Sequence, residues 1–307
     1  MKKKFALMLA VSMTVGAVLT GCGNASGDAA SADAAETAET QEEATANTEE
    51  KDTAEGDAEA GETEEAATGE TEGADLVYAV EAGSAGEAVA QENGFQTNVV
   101  ASQADALMEV AAGTSDAAII DLLMAGAMIG EGTSYPNLTH TTELTTEEYG
   151  VGCRKGSDLA SFINAAMGEA CADGTMQDLA VTYGVQEALV EQPASEFTEA
   201  ESDSDVAYIK DKGTLIVGIT EFEPMDYKDE AGVWIGFDAD MARVVAEKLG
   251  VEAEFVVIDW DNKIMELESK NIDVVWNGMT LTAETTAAME CTNAYCNNAQ
   301  VVVVPSN

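Results

Sequence analysis

Residues 214–219 read TLIVGI, residues 236–250 read GFDADMARVVAEKLG, and residues 253–258 read AEFVVI. The first and last runs are short and apolar, which is typical of buried strands. The middle run predicts a helix that ends at Gly250, because its apolar residues share one face. That face consists of Phe237, Met241, Val244, Val245 and Leu249. The order strand, helix, strand predicts a βαβ unit with parallel strands.

The same alternation continues on both sides of this unit. Downstream, we predict a helix at Asn262–Ser269 and a strand at Val274–Trp276. A matching series lies upstream, with predicted strands at Leu76–Val80, Thr97–Ala101 and Ala117–Ile120 and with predicted helices that end at Glu92 and span Gln103–Ala112. Two such series predict an α/β protein of two lobes, each a mostly parallel sheet flanked by helices.

The amino terminus has the pattern of an export signal. Three lysines at 2–4 precede an apolar run at 5–18, and small residues then lead to Cys22. The run is shorter than the roughly 20 apolar residues of a membrane-spanning helix, so residues 1–22 are interpreted as a signal peptide. The final four residues, LTGC, resemble a bacterial lipobox. This implies lipidation of Cys22 and a lipid anchor on the extracytoplasmic face of the cell membrane; the alternative is an ordinary signal peptide with an incidental cysteine.

Residues 23–74 have a different composition, nearly all Ala, Glu, Thr, Gly, Ser and Asp, without aromatic or large aliphatic side chains. Such a segment buries too little apolar surface to offset its ordering entropy, so a disordered acidic linker is predicted. We interpret it as an extended tether, with an acidic partner-binding tail as the alternative. A second acidic connector is predicted at 191–207.

Charge and cysteine content exclude several function classes. The chain has a formal net charge of −45 at pH 7, which argues against nucleic acid as a partner and favours cationic solutes. The cysteines after the signal peptide lie at 153, 171, 291 and 296, His140 is the only histidine, and no Cys-x-x-Cys pair occurs. We therefore predict no metal, no cofactor and no nucleophilic catalysis. Whether Cys291 and Cys296 form a disulfide stays open.

Several motifs together carry a family resemblance. In the carboxyl-terminal half these are VGITEFEP at 217–224, GFDAD at 236–240, DVVWNGMTLT at 273–282 and NAY at 293–295. Upstream they are VEAGS at 80–84, SDAA at 115–118, EYGVG at 148–152, RKGS at 154–157 and ADGT at 172–175. The chain thereby resembles family 3 of the bacterial extracellular solute-binding proteins, which deliver polar amino acids to ABC importers.

The resemblance implies a two-lobed, type II periplasmic-binding-protein-like fold with its lobes in an unusual order. Residues 75–190 are similar to the second lobe of the family with its closing helices, and residues 208–307 to the first lobe, which normally comes first. We interpret this order as a circular permutation, because each lobe appears once and the missing hinge connection falls at the ends. The termini of compact domains often lie close together, which makes such a permutation physically tolerable. The alternative is a fragment of a longer tandem array.

The resemblance also implies a ligand site at the carboxyl ends of the strands. Helix N-termini at Gly83 and Ser84, and at Thr280, would face a carboxylate, unless these residues only cap helices. Asp121 would hold the α-ammonium group, with capping of the following helix as the alternative. The walls and further contacts would come from Glu221, Phe222, Trp260, Trp276, Asn277 and Gly278, although either tryptophan could instead be a core residue.

One departure affects the expected ligand. The family usually has an arginine that binds the α-carboxylate at the position occupied here by Thr285. We therefore expect an amino acid or a cationic amine, captured for an ABC permease by a receptor that is not an enzyme. The alternatives are a dehydratase-like enzyme on the same fold, with Glu221 and Asp121 as an acid–base pair, or a sensor module without transport.

Overall fold

The computed structural model describes residues 75–306. The predicted signal peptide, Cys22 and the acidic linker lie outside these described residues. The strands are β1 Val77–Glu81, β2 Gln96–Val100, β3 Ala117–Asp121, β4 Leu138–Glu143, β5 Glu147–Cys153, β6 Thr214–Ile219, β7 Tyr227–Lys228, β8 Trp234–Ile235, β9 Glu252–Val257, β10 Val274–Thr280, β11 Glu290–Cys291, β12 Cys296–Asn298 and β13 Gln300–Pro305. The helices are α1 Ala85–Glu92, α2 Gln103–Ala112, α3 Leu122–Met128, α4 Leu159–Asp173, α5 Thr175–Tyr183, α6 Asp205–Lys212, α7 Phe237–Leu249, α8 Lys263–Glu268 and α9 Ala283–Ala288, with a 3₁₀ turn at Trp260–Asn262.

Two larger sheets organise these elements. One has the strand order β2-β1-β3-β13-β4, and we call it, with α1 to α3, the five-stranded lobe. The other has the order β11-β5-β10-β6-β9, with β12 also paired to β5, and we call it, with α4 to α9, the six-stranded lobe. In both, the strands of the predicted βαβ units pair in parallel. The predicted mixed α/β class is confirmed.

The chain passes between the lobes twice. It leaves the five-stranded lobe after β4 and enters the other at β5, and it returns between β12 and β13. The division between the sheets therefore differs from the predicted division at residues 190 and 208. The difference arises at β5, where Tyr149–Cys153 are all buried between β10 on one side and β11 and β12 on the other. No βαβ pattern surrounds this strand to indicate its lobe.

The predicted connector at 191–207 also differs in part. Residues 191–203 form no helix or strand, but α6 begins at Asp205, and the Ser204 hydroxyl caps it by accepting from the Ala207 N–H at 3.0 Å. Asp205 is only 7% exposed because it pairs with Arg154 at the end of β5. This segment thus belongs partly to the core of the six-stranded lobe.

The structure shows the state of the two cysteines near the end of the chain. Cys291 and Cys296 are free, and they lie on separate strands opposite Gly152 and Tyr149 of β5. The disulfide left open by the sequence is therefore not formed in the structure.

Between residues 75 and 306, no helix combines the length and the apolar character needed to cross a bilayer.

Candidate functional site

A cavity of about 340 Å³ lies between the two lobes, at the carboxyl ends of β1, β3, β6 and β10. Ligands of open α/β sheets bind at this edge. All the residues predicted for the site line the cavity except Glu221 and Trp276. The predicted residues that do line it are Gly83, Ser84, Asp121, Phe222, Trp260, Asn277, Gly278 and Thr280.

The two exceptions have simple structural causes. After β6 the backbone turns, because the Phe222 N–H donates to the Asp226 carbonyl at 2.7 Å. This turn buries Phe222 in the cavity wall and leaves Glu221 exposed. The Trp276 side chain is fully buried and packs against Tyr295, with ring centroids 6.4 Å apart. Trp276 is therefore a core residue, whereas Trp260 lines the cavity.

The predicted helix N-termini are present, and their side chains act as caps. The Ser84 hydroxyl accepts from the Glu87 N–H at 3.0 Å, and the Glu87 carboxylate accepts from the Gly83 N–H at 2.7 Å. At α9, the Thr282 hydroxyl accepts from the Thr285 N–H at 3.1 Å, and the Thr285 hydroxyl accepts from the Thr282 N–H at 2.9 Å. The Thr285 side chain is thus occupied by the cap and does not replace an arginine.

Asp121 lies where the two crossings between the lobes meet. Its carboxylate accepts from the Tyr149 hydroxyl at 2.6 Å and from the Gln300 side chain at 3.0 Å, and also from the side-chain amides of Gln103 and Asn298. It makes no capping bond to α3, so the capping alternative is not observed. A ligand ammonium group at this carboxylate has to share it with these donors.

The cavity edge of β10 is held by buried carboxyl groups. The Asn277 side chain donates to the Thr220 carbonyl at 3.0 Å and to Asp226 at 2.8 Å, so its amide donors are already used. Gly278 has φ +56° and donates its N–H to Asp238 at 2.7 Å. Burial raises the pKa of Asp238 to about 7. These contacts hold the irregular end of β10 in place against the cavity.

Lys263 is the residue that the sequence reasoning missed. It begins α8, is 7% exposed, and is the only basic residue among the described residues that line the cavity. Its Nζ donates to the carbonyls of Gly83 at 2.9 Å and Trp260 at 3.2 Å, so it links the two lobes. Burial lowers the pKa of Lys263, although Glu284 and Glu81 oppose that shift. The sequence feature that points to Lys263 is its position three residues after Trp260, which was itself predicted to line the site.

Acidic groups dominate the cavity wall. Besides Asp121, the carboxyl groups of Glu81, Glu92, Glu147 and Glu284 line it. Burial, with the negative charge of Glu147, raises the pKa of Asp121 to about 7. Such a wall attracts a cation more readily than an anion. Within residues 75–306, no group of three or more His, Cys, Asp or Glu side chains is arranged to hold a metal ion.

Comparisons with known proteins concern mainly the last third of the chain. Residues 215–307 match the sequence model of the family described as bacterial extracellular solute-binding proteins, family 3. The L-cystine-binding protein TcyJ of Escherichia coli K12 is 38% identical over 77 residues, which is 25% of this chain and 29% of that protein. The arginine-binding extracellular protein ArtP of Bacillus subtilis is 32% identical over 93 residues, which is 30% of this chain and 36% of that protein.

A solved structure, of an ancestral cyclohexadienyl dehydratase, is 35% identical and covers 29% of this chain and 37% of that one, with a TM-score of 0.27. The chain thus spans about a third of the length of the curated relatives it matches. The resemblance stated from the sequence is confirmed for the matched residues.

Proposed function

We propose, from the match of residues 215–307 to family 3 of the extracellular solute-binding proteins, that this chain is the amino-acid receptor of an ABC importer. The observation that carries the proposal is the cavity between the lobes, whose wall includes Gly83 and Asp121 on one side and Phe222 and Trp260 on the other. A solute that touches both lobes stabilises their closed arrangement. The closed receptor then docks on the permease. Lipidation of Cys22 would keep it at the extracytoplasmic face of the membrane.

The permuted order of the lobes is part of the same proposal. The last strand, β13, lies beside β3 in the five-stranded sheet, and the first described strand, β1, is the other neighbour of β3. Strands from the two halves of the described chain therefore belong to one sheet, which supports the permuted order. Both lobes still contribute to one cavity.

The ligand class follows from the charges of the wall. The acidic side chains of the wall suit an ammonium group, and Lys263 supplies one fixed cation for a carboxylate. We propose an α-amino acid, with Lys263 taking the role that an arginine would have at the position of Thr285. Its buried ammonium group attracts an anion more strongly than an exposed lysine does.

Calorimetric titration against a panel of amino acids and diamines tests the receptor function. We expect saturable binding of at least one amino acid at one site per chain, and recovery of the unchanged solute by NMR after a long incubation. Absence of binding across the panel would contradict the proposal. Conversion of the bound solute to a product would favour the dehydratase-like alternative.

Replacing Lys263 by methionine tests the carboxylate contact. We expect the affinity for an amino acid to fall roughly tenfold or more, because a buried charged hydrogen bond contributes about 1.5–3 kcal/mol. The affinity for the amide of the same amino acid should change much less. The matched control is Lys155→Met, since Lys155 donates to the Thr286 and Met289 carbonyls and does not line the cavity. An equal loss for acid and amide would show that Lys263 only supports the wall.

A further inference from the structure

One buried carboxyl group of the cavity is left without a full set of partners. Glu81 is the last residue of β1, is 3% exposed, and lines the cavity. Its Oε1 has no hydrogen-bond partner among the described residues. A buried polar oxygen without a partner costs free energy, so such a group usually serves a ligand or holds a proton.

The groups that face Glu81 come from several elements. Asp121 on β3 is negative, Lys263 on α8 is positive, and the side chains of Gln103 on α2 and Thr220 after β6 are neutral hydrogen-bonding groups. Glu147 on β5 acts mainly on Asp121. Glu87 on α1 acts on Lys263 and binds the Gly83 N–H.

The nearby lysine does not neutralise Glu81 by a direct ion pair. Lys263 Nζ donates two of its three N–H groups to the carbonyls of Gly83 and Trp260, and no ion pair joins it to Glu81. Asp121 is itself surrounded by amide and hydroxyl donors. Of the buried carboxyl groups in this cavity wall, Glu81 is thus the one with an oxygen left to accept a hydrogen bond.

We propose that Glu81 binds a second cationic group of the solute, an ammonium or guanidinium at the end of its side chain, and that it releases its proton to the solvent as this cation binds. This inference rests on the proposed receptor function and narrows the solute to a dibasic amino acid. The protonated carboxyl group becomes a carboxylate, the cation takes its place at Oε1, and the buffer accepts the proton.

The direction of the pH effect follows from the burial of Glu81. Burial, with the charge of Asp121, raises the pKa of Glu81 to about 8. Glu81 is therefore protonated at pH 7, and a bound cation favours its ionised form. Affinity for a dibasic solute should rise with pH up to about 8, by at most about tenfold per pH unit for one proton, and then level off.

The test is calorimetric titration of the whole protein with L-lysine and with L-norleucine, which has the same carbon chain without the side-chain ammonium group, in buffers of different ionisation enthalpy. At pH 7 we expect lysine binding to release about one proton more than norleucine binding, since the α-ammonium group that both ligands share affects Asp121 equally. Glu81→Gln should abolish this difference and give lysine the pH profile of norleucine. Glu143→Gln makes the same substitution at an exposed position of the same sheet, and should leave the proton release and the pH profile of lysine binding unchanged.

Each outcome bears on one of the two proposals. Binding of norleucine without lysine, or lysine binding that releases no more protons than norleucine binding, overturns the inference and leaves the receptor function standing. An excess release with lysine that persists in Glu81→Gln and disappears in Asp121→Asn also overturns it, because Asp121 would then be the source of that proton. Failure of every ligand to bind overturns the receptor function and the inference with it. The thermal unfolding midpoint of Glu81→Gln establishes that the variant is folded.

Discussion

Replacing Gly83 by alanine is expected to lower the affinity for the solute by roughly 100-fold, about 2.7 kcal/mol. Gly83 has φ +67°, and a β-carbon there would lie 2.7 Å from the Asp261 Cα and 2.8 Å from Asp261 Oδ1. Asp261 belongs to the other lobe, so the added methyl group forces the lobes apart at the mouth of the cavity. It would also disturb the bond from Lys263 to the Gly83 carbonyl.

The chain offers a matched control for this experiment. Gly94 lies in the same lobe and has nearly the same backbone angle, φ +69°, but a β-carbon there would meet no atom within 4 Å. Both substitutions therefore carry the cost of an alanine in the left-handed region, about 1–2 kcal/mol of stability. Only Gly83→Ala should weaken ligand binding and enlarge the radius of gyration measured by small-angle scattering. Equal affinities of the two variants would contradict the closed arrangement of the lobes.

Local patterns were sufficient to predict the elements that carry most of the cavity. The strands at 77–81, 117–121 and 214–219 and the helix at 237–249 agree with the sequence-based boundaries to within a residue or two. Their short apolar runs and helical faces are local properties, because burial on a sheet or against a helix imposes a fixed period. The hydrophobic pattern of the sequence is therefore sufficient to locate these strands and this helix.

Partners that meet from distant parts of the chain were not predictable in this way. Asp121 was expected to be free for an ammonium group, yet Asn298 and Gln300 reach it across 177 and 179 residues. Lys263 was not predicted to line the cavity, because a lysine at the start of a helix is usually exposed. Here the 3₁₀ turn at 260–262 directs it into the cavity mouth. No local sequence pattern predicts such contacts between distant parts of the chain.

Replacing Arg154 by methionine should lower the free energy of unfolding by about 3–5 kcal/mol, as expected when one partner of a buried ion pair is removed. The Arg154 guanidinium donates from Nε and Nη2 to Asp205 at 3.1 and 2.9 Å, and from Nη1 to the Ile272 carbonyl at 2.9 Å. It also lies 3.4 Å from Asp273, which is fully buried. Burial alone lowers the pKa of Arg154, but the two carboxylates raise it overall. Denaturant unfolding at pH 7 measures the loss.

The other arginine of this lobe shows why position decides the effect. Arg243 pairs with Asp240 at 2.6 Å, but their side chains are 38% and 27% exposed. Arg243→Met should cost no more than about 1 kcal/mol, because solvent screens such a pair. If both variants lost the same free energy, Arg154 would not act as the link between β5, α6 and the turn before β10.

The double variant Arg154→Met, Asp205→Asn distinguishes two contributions to the lost free energy of unfolding. One is the cost of leaving Asp205 charged without a partner, and the other is the loss of the remaining contacts of Arg154. In the single variant Asp273 keeps Lys212 at 2.5 Å, whereas the nearest remaining cation of Asp205 is Lys270 at 3.9 Å. Much of the loss then comes from a buried Asp205 without an adequate partner. Asparagine removes that charge, so the double variant should regain more than about 1 kcal/mol relative to Arg154→Met. No recovery would mean that the bond to the Ile272 carbonyl and the packing of β5 carry the effect. Packing and this backbone hydrogen bond, rather than the ion pairs, would then hold β5 in place.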